Sequence, residues 1–255
     1  MKDILFVTDF VCPYCIVAEE ALRQALDELQ MEAQIRFWPF ELTEEPKERV
    51  DTYNDPVRRE HYKVLDEPVK KLGLDAKFPP KVIPRPYTRL AWEGWHYAKA
   101  KGLAEAYAGR MYRAYFTEEL DIGDMDILVK LAEELGLDGA EYRSVLENGT
   151  YREVEKEATF YSKKELHVRS IPTVFIDGVQ AQIKAYTKEE MMRLLTEESS
   201  MDGELLINVA DDLDVEDEGS FACGSDGCGP RKGGKADTDH QGAGGCGPDG
   251  CGFKK

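Results

Sequence analysis

The apolar positions of the chain change period several times, and each change marks an element. Residues 4–7, Ile-Leu-Phe-Val, form an unbroken apolar run of strand length. From Val17 the spacing becomes helical, with Val17, Ala18, Ala21, Leu22, Ala25, Leu26 and Leu29 on one face. Ile35, Phe37 and Phe40 then predict a second strand over residues 33–42. Residues 1–44 read as strand, helix, strand.

At Glu44 the pattern changes. Charged segments are interrupted by Pro46, Pro56, Pro68, Pro79, Pro80, Pro84 and Pro86, a density that predicts irregular connections around short helices. Beyond Tyr87 the helical signal returns. Leu103, Tyr107, Met111 and Tyr115 recur at every fourth position, and Ile127, Leu128, Leu131 and Leu135 lie between an Asp124 cap and Gly136. The aromatic residues Trp92, Trp95, Tyr107, Tyr112, Tyr115 and Phe116 suit a helix-packing core with a few members facing the dithiol; lining a substrate groove is the other reading. Residues 173–176, Thr-Val-Phe-Ile, favour a strand that ends at Asp177-Gly178, a hairpin signal, with residues 179–183 as the returning strand. Thr187 and Glu190 form a capping box ahead of Met191, Met192, Leu194 and Leu195. The expected fold class is α/β. A thioredoxin fold is assembled from residues 1–44 and 161–200, a large helical insertion spans 45–160, and a flexible, acidic, Cys/Gly-rich tail spans 201–255.

Charge narrows the partners. Thirty-three basic side chains against 50 acidic ones give a formal net charge of −17, which opposes non-specific binding to nucleic acid or to an anionic membrane. No eighteen-residue apolar stretch predicts a membrane span, and the run at residues 4–7 is too short for the core of an export signal. The expected location is cytoplasmic, with a processed export signal as the open alternative. In a reducing compartment, regularly spaced cysteines point to catalysis or metal binding before structural disulfides.

Candidate chemistry concentrates at Phe10-Val11-Cys12-Pro13-Tyr14-Cys15, where the first strand gives way to the first helix. Two cysteines with two residues between them at such a junction suit a redox dithiol; half of a zinc site is the other reading of the spacing. Cys12 falls at the expected helix N-cap, where unpaired amides and the positive end of the helix dipole favour a thiolate. It is the candidate nucleophile. Pro13 suits the first helical position, because its missing N–H would have had no helical acceptor. Cys15, one turn further in and less exposed, is the candidate for closing a disulfide. Asp9 is either a proton acceptor for Cys15 or a solvated turn residue. His61, His96 and His167 lie too far apart for ligand spacing and read as surface or packing residues.

Cys-Pro-Tyr-Cys, a long helical insertion and the late segment at residues 171–178, Ile-Pro-Thr-Val-Phe-Ile-Asp-Gly, together resemble the DsbA-like family of thioredoxin-fold proteins. Within it the chain is similar to the cytoplasmic FrnE-like branch over residues 1–200. The resemblance implies a thiol-disulfide oxidoreductase or isomerase acting on protein or peptide thiols, with Cys12 and Cys15 catalytic and Pro13 and Tyr14 completing the active-site loop. No cofactor is required. It further implies a cis bond before Pro172, with the backbone of Ile171 beside Cys12 and free to pair with an extended substrate segment. Tyr14 departs from the pattern, since strongly oxidising relatives carry histidine there. Pro-Tyr is what glutaredoxins show, which implies a potential of roughly −200 to −230 mV rather than about −120 mV and keeps glutathione among the candidate partners.

The tail carries a second constellation. Residues 211–218 supply six carboxylates, and twelve of the 22 glycines fall in the last 45 residues, a composition unable to bury a core of its own. Cys223 and Cys228, then Cys246 and Cys251, form two pairs with four residues inside each and seventeen between them. Three readings stay open: a shuttle dithiol exchanging electrons with Cys12, a four-thiolate zinc site, and two disulfide-closed loops. Two rival functions follow from outline and tail. One is a glutathione-dependent isomerase or transferase of the kappa type, which Cys15 argues against; the other is a metal-binding stress protein using the tail cysteines.

Overall fold

The computed structural model describes residues 1–197. β1 (Lys2–Thr8) and β2 (Ala33–Pro39) run parallel and are joined by α1 (Pro13–Leu29). β3 (Thr173–Ile176) lies antiparallel to β1, and β4 (Val179–Gln180) antiparallel to β3, in the order β2-β1-β3-β4. Between β2 and β3 run α2 (Pro56–Tyr62), α3 (Asp66–Leu72), α4 (Arg89–Ala100), α5 (Ala104–Phe116), α6 (Met125–Glu134), α7 (Gly139–Asn148) and α8 (Arg152–Lys164); α9 (Lys188–Thr196) follows β4.

Strand alternation divides the core. Ile4, Phe6, Ile35, Phe37, Val174 and Ile176 pack with apolar residues of α1, α4 and α5. Val7, Trp38 and Phe175 point the other way and meet Ala158 of α8 with Leu166 and Val168 beyond it. Trp38 fixes that layer by donating its indole N–H to the Ala158 carbonyl at 3.0 Å. The same period of two sends the neighbours Thr8 and Asp9 to different surroundings. Thr8 hydrogen-bonds Tyr112 of α5, whereas Asp9 accepts the Leu42 N–H from the loop after β2.

Two strands are shorter than their apolar patterns predict. β2 ends at Pro39, because Asp9 Oδ2 takes the Leu42 N–H at 2.8 Å and draws the chain away from the sheet. β4 stops at Gln180, and Glu190 Oε1 then holds the Lys184 N–H at 2.9 Å. That contact leaves the capping box half formed: Thr187 accepts the Glu190 N–H while the Glu190 side chain serves Lys184. At the hairpin, Asp177 and Gly178 have φ values of 50° and 82°, as a two-residue turn with both central residues left-handed requires.

All six residues of the aromatic series are buried, and Trp95 alone of them is recorded on the wall of a cavity, beside Arg36 and Lys99, so an open groove is not their main role. They close the core instead. Phe10 stacks on Trp92 with centroids 4.0 Å apart and meets Tyr112 edge-on at 5.7 Å. Tyr107 and Tyr142 pair through their hydroxyls at 2.6 Å, directly against Gly94 in α4. A mid-helix glycine replaced by alanine ordinarily gains about 1 kcal/mol. Here the added methyl would collide with both hydroxyls, so Gly94→Ala is expected to destabilise by about 1–3 kcal/mol in urea unfolding; a stabilised variant would contradict this packing.

Candidate active site

Cys12 is the N-cap of α1, with φ −90° and ψ 116°, and Pro13 fills the first helical position. The N–H groups of Cys15 and Ile16 donate to the Cys12 carbonyl at 3.1 and 3.4 Å, and the Cys12 N–H donates to the Asp9 carbonyl at 3.0 Å. Cys12 makes no side-chain capping bond. The unpaired amides expected to point at its sulfur make no hydrogen bond to it: the Cys15 and Ile16 amides serve the backbone carbonyl, and the thiol turns to the Ile171 carbonyl at 3.9 Å. What the helix offers the sulfur is its dipole, with no acidic residue in the first turn to oppose it. Both thiols are free; Cys12 is 4% exposed and Cys15 fully buried. The Ile171–Pro172 bond is cis. Thus Cys12, Cys15, Ile171 and Pro172, far apart in sequence, meet where β1 turns into α1 and the chain enters β3.

Tyrosines surround Cys12. The rings of Tyr14 and Tyr186 lie 5.4 Å apart, and the Tyr14 hydroxyl donates to the His61 carbonyl at 3.3 Å. Burial pushes Tyr14, Tyr62 and Tyr186 above the ordinary tyrosine value, and the neighbouring Cys12 adds to it, so this rim consists of neutral hydroxyls. Beneath it, burial holds the Cys15 thiol well above its usual range, and Cys12 reinforces the shift; the Thr8 hydroxyl and the Asp9 backbone amide oppose it. Burial and the Cys12 neighbour thus both favour the protonated form of Cys15.

Asp9 touches Cys15 through its backbone, and its carboxyl belongs to a different cluster. Burial raises its pKa, against the Leu42 amide, Thr88, Arg85 and Trp92; its Oδ1 has no hydrogen-bond partner among the described residues. The solvated-turn reading is corrected, because Asp9 is fully buried. Nearby, burial together with Glu155, Asp9 and Glu44 lifts Glu41 to about 8, with Lys163 opposing. Glu155, also raised by burial, accepts from Thr159 at 2.9 Å and pairs with His96 Nε2 at 3.0 Å. Burial lowers His96 to about 4. Of the three histidines, His96 is packed inside. Thr8, Glu41 and Glu155 were missed in the sequence. Strand parity was a signal for Thr8; the acidic residues carried none.

Cys223, Cys228, Cys246 and Cys251 lie outside the described residues. Among the described residues no group of three or more His, Cys, Asp or Glu side chains is placed to hold a metal ion, and no helix is long and apolar enough to cross a membrane.

A parallel β-α-β start, a buried cysteine pair at a helix N-terminus and a cis-proline facing it define a thioredoxin-fold protein of the DsbA kind. Residues 3–196 match the DSBA-like thioredoxin domain, and the chain belongs to that family. The uncharacterized protein YwbO of Bacillus subtilis (strain 168) is 40% identical over 170 residues, which cover 66% of this chain and 84% of YwbO. A probable DsbA oxidoreductase from Streptomyces coelicolor superposes with a TM-score of 0.63 at 22% identity, covering 91% of this chain and all of that one. The cytosolic disulfide reductase DsbM from Pseudomonas aeruginosa, solved also with GSH, gives 0.57 at 16% identity over 76% of this chain and 96% of its own. At these identities the two structures speak for the fold.

Glu41 makes the loop behind Asp9 sensitive to pH. Because its pKa rises from 4.5 to about 8 on folding, the native state binds more protons than the unfolded chain between those values, and stability falls as pH rises through them. Glu41→Gln is expected to flatten that fall and to exceed the wild type by more than about 1 kcal/mol at pH 8 in urea unfolding. Parallel curves at pH 5 and pH 8 would contradict it.

Proposed function

We propose that this chain is a thiol-disulfide oxidoreductase that exchanges or isomerises disulfides on protein or peptide thiols through Cys12 and Cys15. The observation that carries the reading is the placement of both sulfurs at the start of α1 with the Ile171 carbonyl 3.9 Å from Cys12. In the oxidising direction a substrate thiolate attacks Cys12, the Cys12–Cys15 bond breaks and Cys15 leaves. A second substrate thiol then displaces Cys12 and closes the substrate disulfide. The reverse sequence reduces a substrate, and release of Cys12 to a different cysteine isomerises it. The cycle runs on sulfur and needs no cofactor.

Ile171 and Pro172 form the substrate-binding edge, where an extended peptide pairs with the backbone beside Cys12. Pro13 shapes the loop, and Tyr14 supplies a neutral hydroxyl. Glutathione is the small thiol that fits the same exchange. The work is assigned to the cytoplasm, with neither nucleic acid nor membrane as partner. The tail pairs Cys223/Cys228 and Cys246/Cys251 are assigned a shuttle role; a zinc site is their alternative.

Cys15→Ser is expected to accumulate mixed disulfides through Cys12 when incubated with reduced, thiol-rich protein and a mild oxidant, read on non-reducing gels and by peptide mass. Cys12→Ser should trap at least about ten-fold less at this centre, since Cys12 is the sulfur assigned to exchange with substrate. Absence of any Cys12-linked adduct in Cys15→Ser would overturn the proposal.

A further inference from the structure

We propose that the cleft between residues 41–45, the start of α4 and one face of α8 binds a small aromatic carboxylate, its anionic end held by Arg152, Lys164 and the Glu41 carboxyl and its ring laid on Phe160. The inference is independent of the dithiol reading. The cleft encloses about 800 Å³, a volume that suits a small molecule, and none of Cys12, Cys15, Ile171 and Pro172 is in its lining.

Charge and shape identify the ligand. In a chain with a formal net charge of −17, five cations line this cleft, Arg89, Arg152, Lys156, Lys163 and Lys164, against three carboxyls, Glu41, Glu44 and Glu45. Three of the cations are already engaged: Arg89 with Glu45 at 3.1 Å and with Glu93, Lys163 with Glu44 at 2.5 Å, and Lys156 with Glu153 at 2.5 Å. Two are left for a ligand. Lys164 forms no ion pair among the described residues. Arg152 Nε lies 3.6 Å from Glu93 Oε1, too far for a hydrogen bond, and that nitrogen is buried with no hydrogen-bond partner among the described residues. Phe160, 58% exposed, lines the same cleft. Arg152, Phe160 and Lys164 follow one another at intervals of eight and four residues, and so run along one face of α8. A guanidinium fork and an ammonium match a carboxylate, and the ring between them offers an apolar face.

Glu41 supplies the second, independent observation. It lines the cleft, is 7% exposed, and its Oε2 has no hydrogen-bond partner among the described residues. A buried carboxyl oxygen without a partner is costly, and a ligand oxygen would supply one. Burial lifts this carboxyl to about 8, reinforced by Glu155 on α8, Asp9 in the turn after β1 and Glu44 on its own loop, with Lys163 as the opposing cation. Behind them, His96 of α4 pairs with Glu155. At neutral pH the Glu41 carboxyl therefore keeps its proton and can donate it in a hydrogen bond to a carboxylate oxygen.

The test titrates the full-length protein with 2-naphthoate by calorimetry, beside its neutral counterpart 2-naphthamide. At pH 7 the carboxylate is expected to bind at least about ten-fold more tightly than the amide, the scale of one charge-assisted contact. Arg152→Gln should abolish that preference by weakening the carboxylate alone, and Phe160→Ala should weaken both ligands by about five-fold. Raising the pH from 7 to 9 should weaken the carboxylate in the wild type, because Glu41 then ionises beside an anion, and should leave Glu41→Gln unchanged. Equal affinity for the two ligands, no detectable binding of the carboxylate, or an intact preference in Arg152→Gln overturns the inference, as does an identical loss with pH in Glu41→Gln. Should Arg152→Gln not fold, an intact preference in Lys164→Gln overturns it equally.

Discussion

Phe10 pins the turn between β1 and α1 by stacking on Trp92 of α4, with centroids 4.0 Å apart and both side chains fully buried. Stacked aromatic pairs contribute about 0.5–1.5 kcal/mol beyond the area they bury, and here the contact also sets geometry. Two residues later the chain must begin a helix, and Cys12 falls at its N-cap with Pro13 behind it. With the turn anchored on one side by α4 and on the other by the Cys12 N–H to Asp9 carbonyl bond, the sulfur is left facing the Ile171 carbonyl. The helices between β2 and β3 therefore act on the chemistry by holding the loop from beneath.

The polar groups under the dithiol follow from strand alternation. Thr8 and Asp9 are consecutive, yet one hydroxyl is sent to Tyr112 and the adjacent carboxyl to the Leu42 amide. A buried carboxyl raised in pKa next to a disulfide centre invites assignment as its base. Its geometry commits it elsewhere, to ending β2 and fixing the 40–44 loop. Thiol stabilisation here is set by donors and burial, with a neutral tyrosine at residue 14 between the two cysteines.

Much of the architecture was legible because its signals are local. The period shift at Val17 located α1, the Asp-Gly pair located the hairpin, and Cys-Pro-Tyr-Cys at a strand end marked the site. Long-range contacts were not legible. The bond between Thr8 and Tyr112 spans 104 residues and that between Trp38 and Ala158 spans 120, and neither leaves a trace in local pattern. The lengths of β2 and β4 were misjudged for the same reason, since Asp9 and Glu190 intercept the chain from outside the apolar run. The orientation of the Cys12 sulfur was also beyond reach. Local pattern places the N-cap; whether the amides serve the sulfur or the carbonyl is decided by the turn's three-dimensional packing.

The most direct test of the central claim is a redox titration of the full-length chain in glutathione buffers, with the peptide carrying Cys12 and Cys15 followed by mass after acid trapping and alkylation. The account predicts one two-electron transition between dithiol and intrapeptide disulfide, at roughly −200 to −230 mV. Two cysteines that alkylate independently across the whole range, with no disulfide joining them, would contradict it.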